Sequence, residues 1–469
     1  MTEERKPERV DPAWLRGMTM PRMTRRDLFR YAGAGVGALS LSSILAACGT
    51  PAEKKTETKP GGEGTPEWWA AREKEGPGDT IQFTNWPAYI DLAGRDAQGN
   101  RIRPSLQAFM DETGIEVVYR ADINANEDFY AAIRPALEPG EPTGHDIIVI
   151  TNGQELTEMM ALGYLIELDH SLTPNFNENV GPAFKGPTFD PGNRYTMAWQ
   201  SGMTGYAWNT KFVDGPITSM KDLMNDDWAG HVTLFGNNAD APNMAMIELG
   251  IDPATSTPDD WQQAADLLSS FNEWGGLRKW DDQAYLTAIE NGDLWATMAW
   301  SGDIINDQLY YPEFASFRFA APDAGTVVWT DNMMIPSKAE NPLGAIQLMD
   351  HYYKPEIAAM LTEWNAYVSP VPAGGEIVKG DAEAASGGDR KVLNTIADSP
   401  YVFPTDELNA KLHSYRVLEG DEVTQWNDLF LPIFTTGAVG GGGDLGRSPP
   451  PTPCSPPAGS GCSSCSSCR

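Results

Sequence analysis

The fold is decided by the stretch Asp146-Ile147-Ile148-Val149-Ile150, in which four large apolar side chains follow one another. A run without a polar face is typical of a parallel strand that is covered on both sides. Towards the amino terminus, residues 115–119 and 81–86 also have the composition of strands. Residues 103–113 have the periodicity of a helix, which is expected to end at Gly114.

A further helix is predicted between the strands at 115–119 and 146–150. It begins at Asn126, whose short polar side chain is typical of a helix N-cap, and it extends to Leu137. The resulting order of elements is βαβαβ. This order predicts an open α/β sheet with its ligand beyond the carboxyl ends of the strands.

The rest of the body continues the α/β pattern. Strands are predicted at 204–209, 231–235 and 296–300, with Ser301 as the cap of a following helix. Further helices are predicted to begin at 257–260, 341–342 and 354–355, and a last one spans 422–434. The chain has no internal repeat, so a second α/β lobe inserted into the first is the simplest interpretation.

The composition indicates a globular and acidic protein. The chain has 469 residues with 41% hydrophobic and 21% charged side chains, and 34 Lys+Arg against 65 Asp+Glu give a net charge of −31. A chain of this length can bury a large core without disulfides or metal. Strong acidity excludes nucleic acid as a partner, because its phosphates require basic side chains. The charge suits a cationic ligand, although solubility alone explains most of it.

The amino terminus has the form of an export signal. Residues 1–30 carry a net charge of +3 and residues 31–47 carry none. Arg25 and Arg26 resemble the pair in a twin-arginine signal, and Leu45-Ala46-Ala47-Cys48 resembles a lipobox with lipid attachment at Cys48. The alternative is an apolar anchor helix with an accidental cysteine.

These patterns divide the chain into four parts. We predict a signal peptide at 1–47, a flexible tether at 48–78, a globular body at 79–436 and a low-complexity tail at 437–469. The tail is rich in Gly, Pro, Ser and Cys, and its cysteine spacing is also that of a metal or iron–sulfur site. A low-complexity tail or a reading-frame artefact is the preferred interpretation, because the segment lacks the packed surroundings that a metal site needs.

Enzyme motifs are nearly absent. The sequence contains no GxSxG, HExxH or GxxxxGK[ST] pattern, and its five histidines are not at metal-ligand spacing. The pairs Tyr310-Tyr311 and Tyr352-Tyr353 lie in helix-like contexts, which favours packing over iron binding. Acids at Glu112, Asp222 and Asp303 leave a secreted hydrolase or lyase as a rival, but nothing in the sequence pairs them. We therefore expect no catalysis, no cofactor and no metal.

Aromatic residues stand beside carboxylates at the predicted ends of strands. Trp86 and Tyr89 follow the first strand, and Trp300 ends the strand at 296–300. Trp329 and Asp331 alternate after Val327 and Val328, which places both side chains on one face of a strand. An indole ring covers methylene groups and attracts an ammonium by about 0.5–2 kcal/mol, and a carboxylate then fixes the cation.

The body resembles the periplasmic polyamine-binding proteins of ABC transporters, the spermidine/putrescine type. The resemblance covers about 80–434, and the matching segments are 85–90, 109–117, 195–209, 217–223, 292–302 and 329–336. It implies an α/β, two-lobed periplasmic-binding-protein fold with a ligand cleft between the lobes. Lobe 1 then takes about 79–195 and part of 330–436, and lobe 2 takes part of 196–329.

The resemblance also implies which residues line the cleft. These are Trp86, Tyr89, Thr151, Asn237, Asp240, Trp300, Trp329, Asp331 and Tyr367. Trp300 and Trp329 would sandwich the methylene chain of the ligand, and Asp331 would meet an amine. The family usually has two acids in the loop at 236–240, whereas this chain has Asp240 and Asn237, and it has Gly153 where the family often has Tyr. These departures leave a different amine-bearing solute open.

The implied function is capture and delivery. A polyamine, putrescine or spermidine, would bind in the cleft and pass to permease subunits that work with a cytoplasmic ATPase. The protein would be an exported monomer held by its lipid at the outer face of the cytoplasmic membrane. Rivals are a binder of sugar, iron or a thiamine-like cation on the same fold, and a purely structural surface lipoprotein.

Overall fold

The computed structural model describes residues 62–95, 101–282, 284–418 and 420–436. The twin arginines Arg25 and Arg26, the predicted lipidation site Cys48 and the tail at 437–469 lie outside these residues. Predictions about export, lipidation and the cysteine-rich tail therefore remain predictions.

Twelve strands and fifteen helices are present in the described part of the chain. The strands are β1 (Thr80–Thr84), β2 (Gly94–Arg95), β3 (Arg101–Ile102), β4 (Glu116–Arg120), β5 (Ile147–Thr151), β6 (Met197–Asn209), β7 (Val232–Leu234), β8 (Leu277–Trp280), β9 (Ala296–Trp300), β10 (Phe317–Ala320), β11 (Thr326–Met334) and β12 (Leu412–His413). The helices are α1 (Pro66–Glu75), α2 (Pro104–Thr113), α3 (Asn126–Leu137), α4 (Gln154–Ala161), α5 (Pro174–Asn179), α6 (Asp240–Glu248), α7 (Pro258–Trp274), α8 (Tyr285–Glu290), α9 (Ser301–Tyr310), α10 (Pro342–His351), α11 (Pro355–Asn365), α12 (Ala373–Ala384), α13 (Gly387–Ala397), α14 (Asp406–Asn409) and α15 (Asp421–Thr436).

The first lobe is built on the predicted βαβαβ unit. β1 pairs in parallel with β4 on one side and with β5 on the other, and helices α2 and α3 make the crossovers. β5 is buried from Ile147 to Ile150, as its apolar composition predicted. Gly114 adopts a left-handed conformation with φ 75°, and it ends α2 where expected.

Two long strands join the lobes. The first part of β6 pairs with β11, and its second part pairs with β9 and β10. β11 in turn pairs with β5 through residues 331–334. Each of these strands thus belongs to both lobes, and together they connect the lobes at the bottom of the cleft.

The second lobe contains β7, which pairs in parallel with β8 and β9. Its longest helix, α7, begins as its sequence predicts: Thr257 and Asp260 form a reciprocal capping box and Pro258 occupies the first turn. The strand predicted at 296–300 is β9, with the predicted bounds. The strand predicted at 204–209 is the second half of β6, which begins at Met197, and the helix predicted at 422–434 is α15.

Two predicted helix caps are wrong. Asn126 lies inside α3, and its Oδ1 accepts a hydrogen bond from the Thr151 backbone N–H at 3.2 Å. Ser301 lies inside α9, and its Oγ accepts from the Met203 N–H at 3.3 Å. In both cases the side chain satisfies a backbone amide of a neighbouring strand, which local sequence does not reveal.

The predicted tether is too long. Residues 66–75 form helix α1, which begins after Thr65 and places Trp69 completely out of solvent. The Trp69 Nε1 donates to the Glu167 backbone oxygen at 2.9 Å, so the helix is packed on the first lobe. Trp68 and Trp69 supply the apolar surface that attaches this segment to the body, and a flexible tether would lack such a surface.

The tyrosine pairs pack, as preferred from the sequence. The Tyr353 hydroxyl donates to the Ala198 backbone oxygen at 2.7 Å, and the Tyr310 hydroxyl donates to that of Glu363 at 2.6 Å. Tyr352 is buried beside Ser105, with the two hydroxyl oxygens 3.1 Å apart.

Among the helices of the described chain, none combines the length and the apolar character required to traverse a bilayer.

Candidate functional site

A cavity of about 180 Å³ lies between the lobes. Its lining includes every binding residue that the resemblance implied, namely Trp86, Tyr89, Thr151, Asn237, Asp240, Trp300, Trp329, Asp331 and Tyr367. The fold thus brings together side chains from the ends of β1, β5 and β9, from the loop after β7, and from β11.

Asp331 lies on the floor of the cavity and is almost completely buried. Its Oδ1 accepts a hydrogen bond from the Thr151 hydroxyl, and its Oδ2 accepts one from the Tyr89 hydroxyl, both at 2.6 Å. Burial raises the pKa of Asp331 to about 6, although these two hydrogen bonds lower it. Within the described residues, no basic side chain forms an ion pair with this carboxylate.

The sequence suggested that Trp329 and Asp331 lie at the end of a strand, and this prediction is wrong. Both lie in the middle of β11, which continues to Met334. Their alternation still places both side chains in the cavity, because every second residue of a strand points to the same face. Since β11 crosses between the lobes, the two side chains reach the point where both lobes meet.

Asp240 is the second buried carboxylate of the cavity. Its Oδ1 accepts from the hydroxyls of Thr204 and Tyr415, the latter at 2.8 Å. Its Oδ2 accepts from Asn237 Nδ2 at 3.1 Å and from Trp300 Nε1 at 3.3 Å. Burial raises the pKa of Asp240 above its ordinary value, against the effect of these donors.

The aromatic rings of the cavity meet edge to face. The Trp300 and Trp329 rings have centroids 6.3 Å apart and an interplanar angle of 76°. Their sandwiching of a methylene chain stays a prediction. Tyr367 packs against Trp329 with centroids 5.5 Å apart. Gly202 of β6 makes this arrangement possible, because a Cβ at that position would stand 2.5 Å from the Trp329 ring.

The first-lobe wall is fixed by hydrogen bonds to the backbone. The Trp86 Nε1 donates to the Val149 oxygen at 3.1 Å, which holds the indole across the end of β5. Tyr89 is buried and packs against Tyr367 with centroids 5.4 Å apart. These contacts orient the wall before any ligand arrives.

Several residues of the cavity were not predicted from the sequence. Asp282, Glu127, Glu155 and Tyr415 all contribute to its lining. The Asn237 amide nitrogen donates to Asp282 Oδ2 at 3.0 Å as well as to Asp240, so it bridges two carboxylates. Asp282 lies two residues after the end of β8, a strand that was not predicted from the sequence, so its place at the cleft was not predicted either.

The acids that suggested a hydrolase are dispersed. Glu112 accepts a hydrogen bond from Lys354 Nζ at 2.5 Å, and Asp222 caps a helical turn. Asp303 is buried, and its carboxylate accepts from the hydroxyls of Tyr285 and Tyr367 at 2.8 Å and 3.0 Å. No two of these three carboxylates share a site in these contacts.

Curated relatives match most of the body. The spermidine/putrescine-binding periplasmic protein 1 of Haemophilus influenzae is 28% identical over 285 residues, which cover 61% of this chain and 73% of the relative. The spermidine/putrescine-binding periplasmic protein of Salmonella typhimurium is 25% identical over 350 residues, which cover 72% and 92%. The putrescine-binding periplasmic protein PotF of Escherichia coli is 24% identical over 355 residues, which cover 72% and 86%.

Solved structures show the same fold. A putative spermidine/putrescine ABC transporter protein from Listeria monocytogenes superposes with a TM-score of 0.61 at 23% identity, covering 76% of this chain and 99% of that one. The spermidine/putrescine substrate-binding protein PotD of Streptococcus pneumoniae gives 0.60 at 21% identity, covering 77% and 100%. The two-lobed periplasmic-binding-protein fold is thereby confirmed.

A protein-family model also matches the body of this chain. The model described as bacterial extracellular solute-binding protein matches residues 105–383, which include both crossing strands and the Asp331 floor. The chain is therefore a solute-binding protein and not an enzyme, and it belongs to the family of bacterial extracellular solute-binding proteins.

Proposed function

We propose that this protein captures a polyamine in the cleft between its lobes and delivers it to the permease of an ABC transporter. The observation that carries the proposal is Asp331, a buried carboxylate among aromatic rings with two hydroxyl donors and no ion pair to a basic side chain in the described chain. A buried carboxylate without a partner is costly, and an ammonium group of the ligand supplies that partner.

The similarity to curated relatives supports the same ligand class. The Haemophilus and Salmonella proteins carry names that specify spermidine and putrescine. The Salmonella match covers 72% of this chain and 92% of that relative. A polyamine thus fits the chemistry of the cavity, and it is also the class of ligand for which these relatives are named.

Binding is expected to proceed by closure of the lobes around the ligand. The amine first contacts one lobe, and hinge motion through β6 and β11 then excludes water. As the local dielectric constant falls, the attraction between Asp331 and the ammonium increases. Trp300 and Trp329 cover the methylene groups between the charged ends and contribute apolar burial.

Lipidation at Cys48 would keep the binder beside its permease. Thirteen residues, 49–61, lie between this cysteine and the first residue that the structure describes, and a chain of that length can reach at most about 45–50 Å. Confinement within that distance raises the effective concentration at the membrane surface. Mass spectrometry of the membrane fraction tests this step, and a Cys48→Ala variant is expected to lose the diacylglycerol adduct and to leave the membrane.

Native mass spectrometry of the purified protein tests the ligand class directly. We expect a retained polyamine mass, and thermal stabilisation by putrescine or spermidine of about 2.7 kcal/mol at a hundredfold excess over Kd. Maltose and ferric ion are the comparison ligands and are expected to have no effect. Stabilisation by maltose or iron without stabilisation by either amine would contradict the proposal.

A further inference from the structure

A second cavity lies outside the cleft between the lobes. Its volume is about 700 Å³, and it is bounded by α9, β10, α13 and the loop after α13. Among the described residues, its lining and that of the cleft have none in common. Three basic side chains line it, which we call the basic triad: Arg318 on β10, and Arg390 and Lys391 on α13. Asp398 is the one acidic side chain that the described residues contribute to this lining.

The basic triad is not neutralised by neighbouring acids. Other basic residues of the protein form ion pairs with glutamates, as Arg194 does with Glu167 and Lys354 with Glu112. In the part of the chain that the structure describes, no member of the triad forms an ion pair. The chain has 65 Asp+Glu against 34 Lys+Arg, so acids are abundant, and yet three cations share this cavity without one. An anionic ligand would supply the missing charge through charge-assisted hydrogen bonds.

The two guanidinium groups of the triad are oriented by backbone oxygens. Arg318 Nη1 donates to the oxygens of Ala315 and Phe317 at 2.9 Å and 2.6 Å, and Arg390 Nε donates to the Ala385 oxygen at 2.8 Å. These acceptors are neutral, so they fix the position of each group without cancelling its charge. A guanidinium has five N–H donors, and the remaining ones are available to a carboxylate.

The position of the triad on α13 adds to its positive potential. Arg390 lies in the first turn of this helix, where the helix dipole destabilises a cation and stabilises an anion. Ser386 precedes the helix, and its side chain makes no capping hydrogen bond. Asp389 shares the first turn but lies outside the cavity lining. An anion in the cavity would therefore relieve an unfavourable arrangement of charges.

The rest of the cavity provides an apolar surface and hydroxyl groups. Ile305 is buried, and the partly buried rings of Phe319 and Tyr401 meet edge to face with centroids 5.0 Å apart. Thr395 and Ser399 contribute hydroxyls to the same lining. The volume lies within the range of about 300–1,000 Å³ that is typical of sites for small organic ligands. Such a surface suits a ligand whose charged groups are carried on an apolar frame.

We infer that this cavity is a second binding site, whose ligand is an organic anion with two or more carboxylates on an apolar frame. The inference goes beyond the proposed function and does not depend on it. A polyamine does not fit, because its ammonium groups have the same charge as the triad. The net charge of −31 does not exclude an anion here, because charges farther away than about 8 Å are largely screened at physiological ionic strength.

Fluorine NMR of fluoroisophthalate, a benzene ring with two carboxylates, tests the inference on the full chain. We expect saturable binding of this probe, and unlabelled isophthalate is expected to displace it. Glutarate has two carboxylates but no ring, and it is expected to displace the probe at least tenfold less effectively. Benzyl alcohol has the ring but no charge, and it is expected to cause no displacement.

Variants of the triad test whether the probe occupies this cavity. Lys391→Gln and Arg318→Gln are each expected to weaken probe binding fivefold or more and to change putrescine binding less than twofold. The Lys391 side chain makes no hydrogen bond or ion pair in the described residues, so its replacement is not expected to alter the fold. Lys379→Gln is the matched control, because Lys379 lies on the neighbouring helix α12, outside the lining, and pairs with Glu376 at 2.8 Å.

The outcomes separate the second site from the proposed function. Absence of probe binding, or equal binding by wild type and both triad variants, would overturn the inference. Displacement of the probe by putrescine would also overturn it, because the probe would then occupy the cleft. Equal displacement by glutarate and isophthalate would overturn the assignment of an apolar frame. A protein that binds the probe but no polyamine would contradict the proposed function and leave the second site intact.

Discussion

Asp331 is the residue on which binding is expected to depend most strongly. Asp331→Asn removes the charge but keeps an acceptor for Tyr89 or Thr151, so we expect polyamine affinity to fall at least a hundredfold. Because burial raises the pKa of this acid, its ionised form destabilises the ligand-free fold above about pH 6. The substitution is therefore not expected to lower Tm at pH 7.

Titration calorimetry and a thermal melt of the ligand-free protein measure the two effects separately. Asp323→Asn is the control, since Asp323 is exposed and lies outside the cavity lining. A variant that melts much earlier than wild type but binds normally would identify Asp331 as a structural residue.

The raised pKa of Asp331 also predicts how binding depends on pH. The free carboxyl group has a pKa of about 6, and a bound ammonium favours its ionised form. Below pH 6 the Asp331 carboxyl is mostly protonated, and it must lose that proton before it can pair with the ammonium. The apparent Kd is therefore expected to increase about tenfold or more when the pH is lowered from 7 to 5. Calorimetry in buffers of different ionisation enthalpy should also detect proton release near pH 6. A Kd that is constant over this range would contradict the assignment.

At the level of elements, the two crossing strands carry the floor of the cleft. Gly202 of β6 lies under Trp329 and Tyr367, and a Cβ there would stand 2.5 Å and 2.9 Å from their rings. Gly202→Ala is therefore expected to displace the Trp329 indole and to weaken polyamine binding tenfold or more. Ligand titration followed by tryptophan fluorescence measures this effect.

Gly380→Ala is the matched control for that substitution. Gly380 lies in α12, outside the cavity lining, and a Cβ there meets nothing within 4 Å. This control is expected to bind normally and to be slightly more stable, because alanine favours helix more than glycine. Normal ligand binding by Gly202→Ala would show that the position of Trp329 does not matter.

Helix α1 is expected to stabilise the first lobe without taking part in binding. Trp69 is completely buried and donates to the Glu167 backbone oxygen, so Trp69→Ala leaves a cavity and an unpaired acceptor. The loss is expected to be about 3–5 kcal/mol in the free energy of unfolding. Denaturant unfolding measures it, and a loss below about 1 kcal/mol would mean that α1 is only loosely attached. Trp68→Ala, at a partly buried neighbour, is the comparison.

At the scale of the whole molecule, the acidic cleft predicts closure that depends on the ligand. The lobes present Glu127 and Glu155 on one side and Asp282 on the other, so a polycation should favour the closed form. Small-angle scattering is expected to show a smaller radius of gyration after spermidine is added at pH 7. An unchanged radius at saturating ligand would argue against closure and would favour the structural lipoprotein considered from the sequence.

Much of the fold was accessible from sequence because it is encoded locally. The apolar run of β5, the capping box of α7 and the glycine that ends α2 each report the conformation of their own backbone. The two predicted caps that are wrong are Asn126 and Ser301. The side chain of each accepts a hydrogen bond from a backbone N–H of a strand elsewhere in the fold. Local pattern and tertiary contact compete for such short polar side chains, and here the tertiary contact prevails.

The sequence by itself determined the α/β class, the order of the first elements and the pairing of Trp329 with Asp331, because alternation along a strand constrains which side chains share a face. The resemblance to a family supplied the other residues of the cleft. Only the tertiary structure decided which acids meet. Tyr415 donates to Asp240 across 175 residues of chain, and Asp282 reaches Asn237 across 45. Such contacts depend on how elements remote in sequence pack against one another, and backbone periodicity carries no information about that packing.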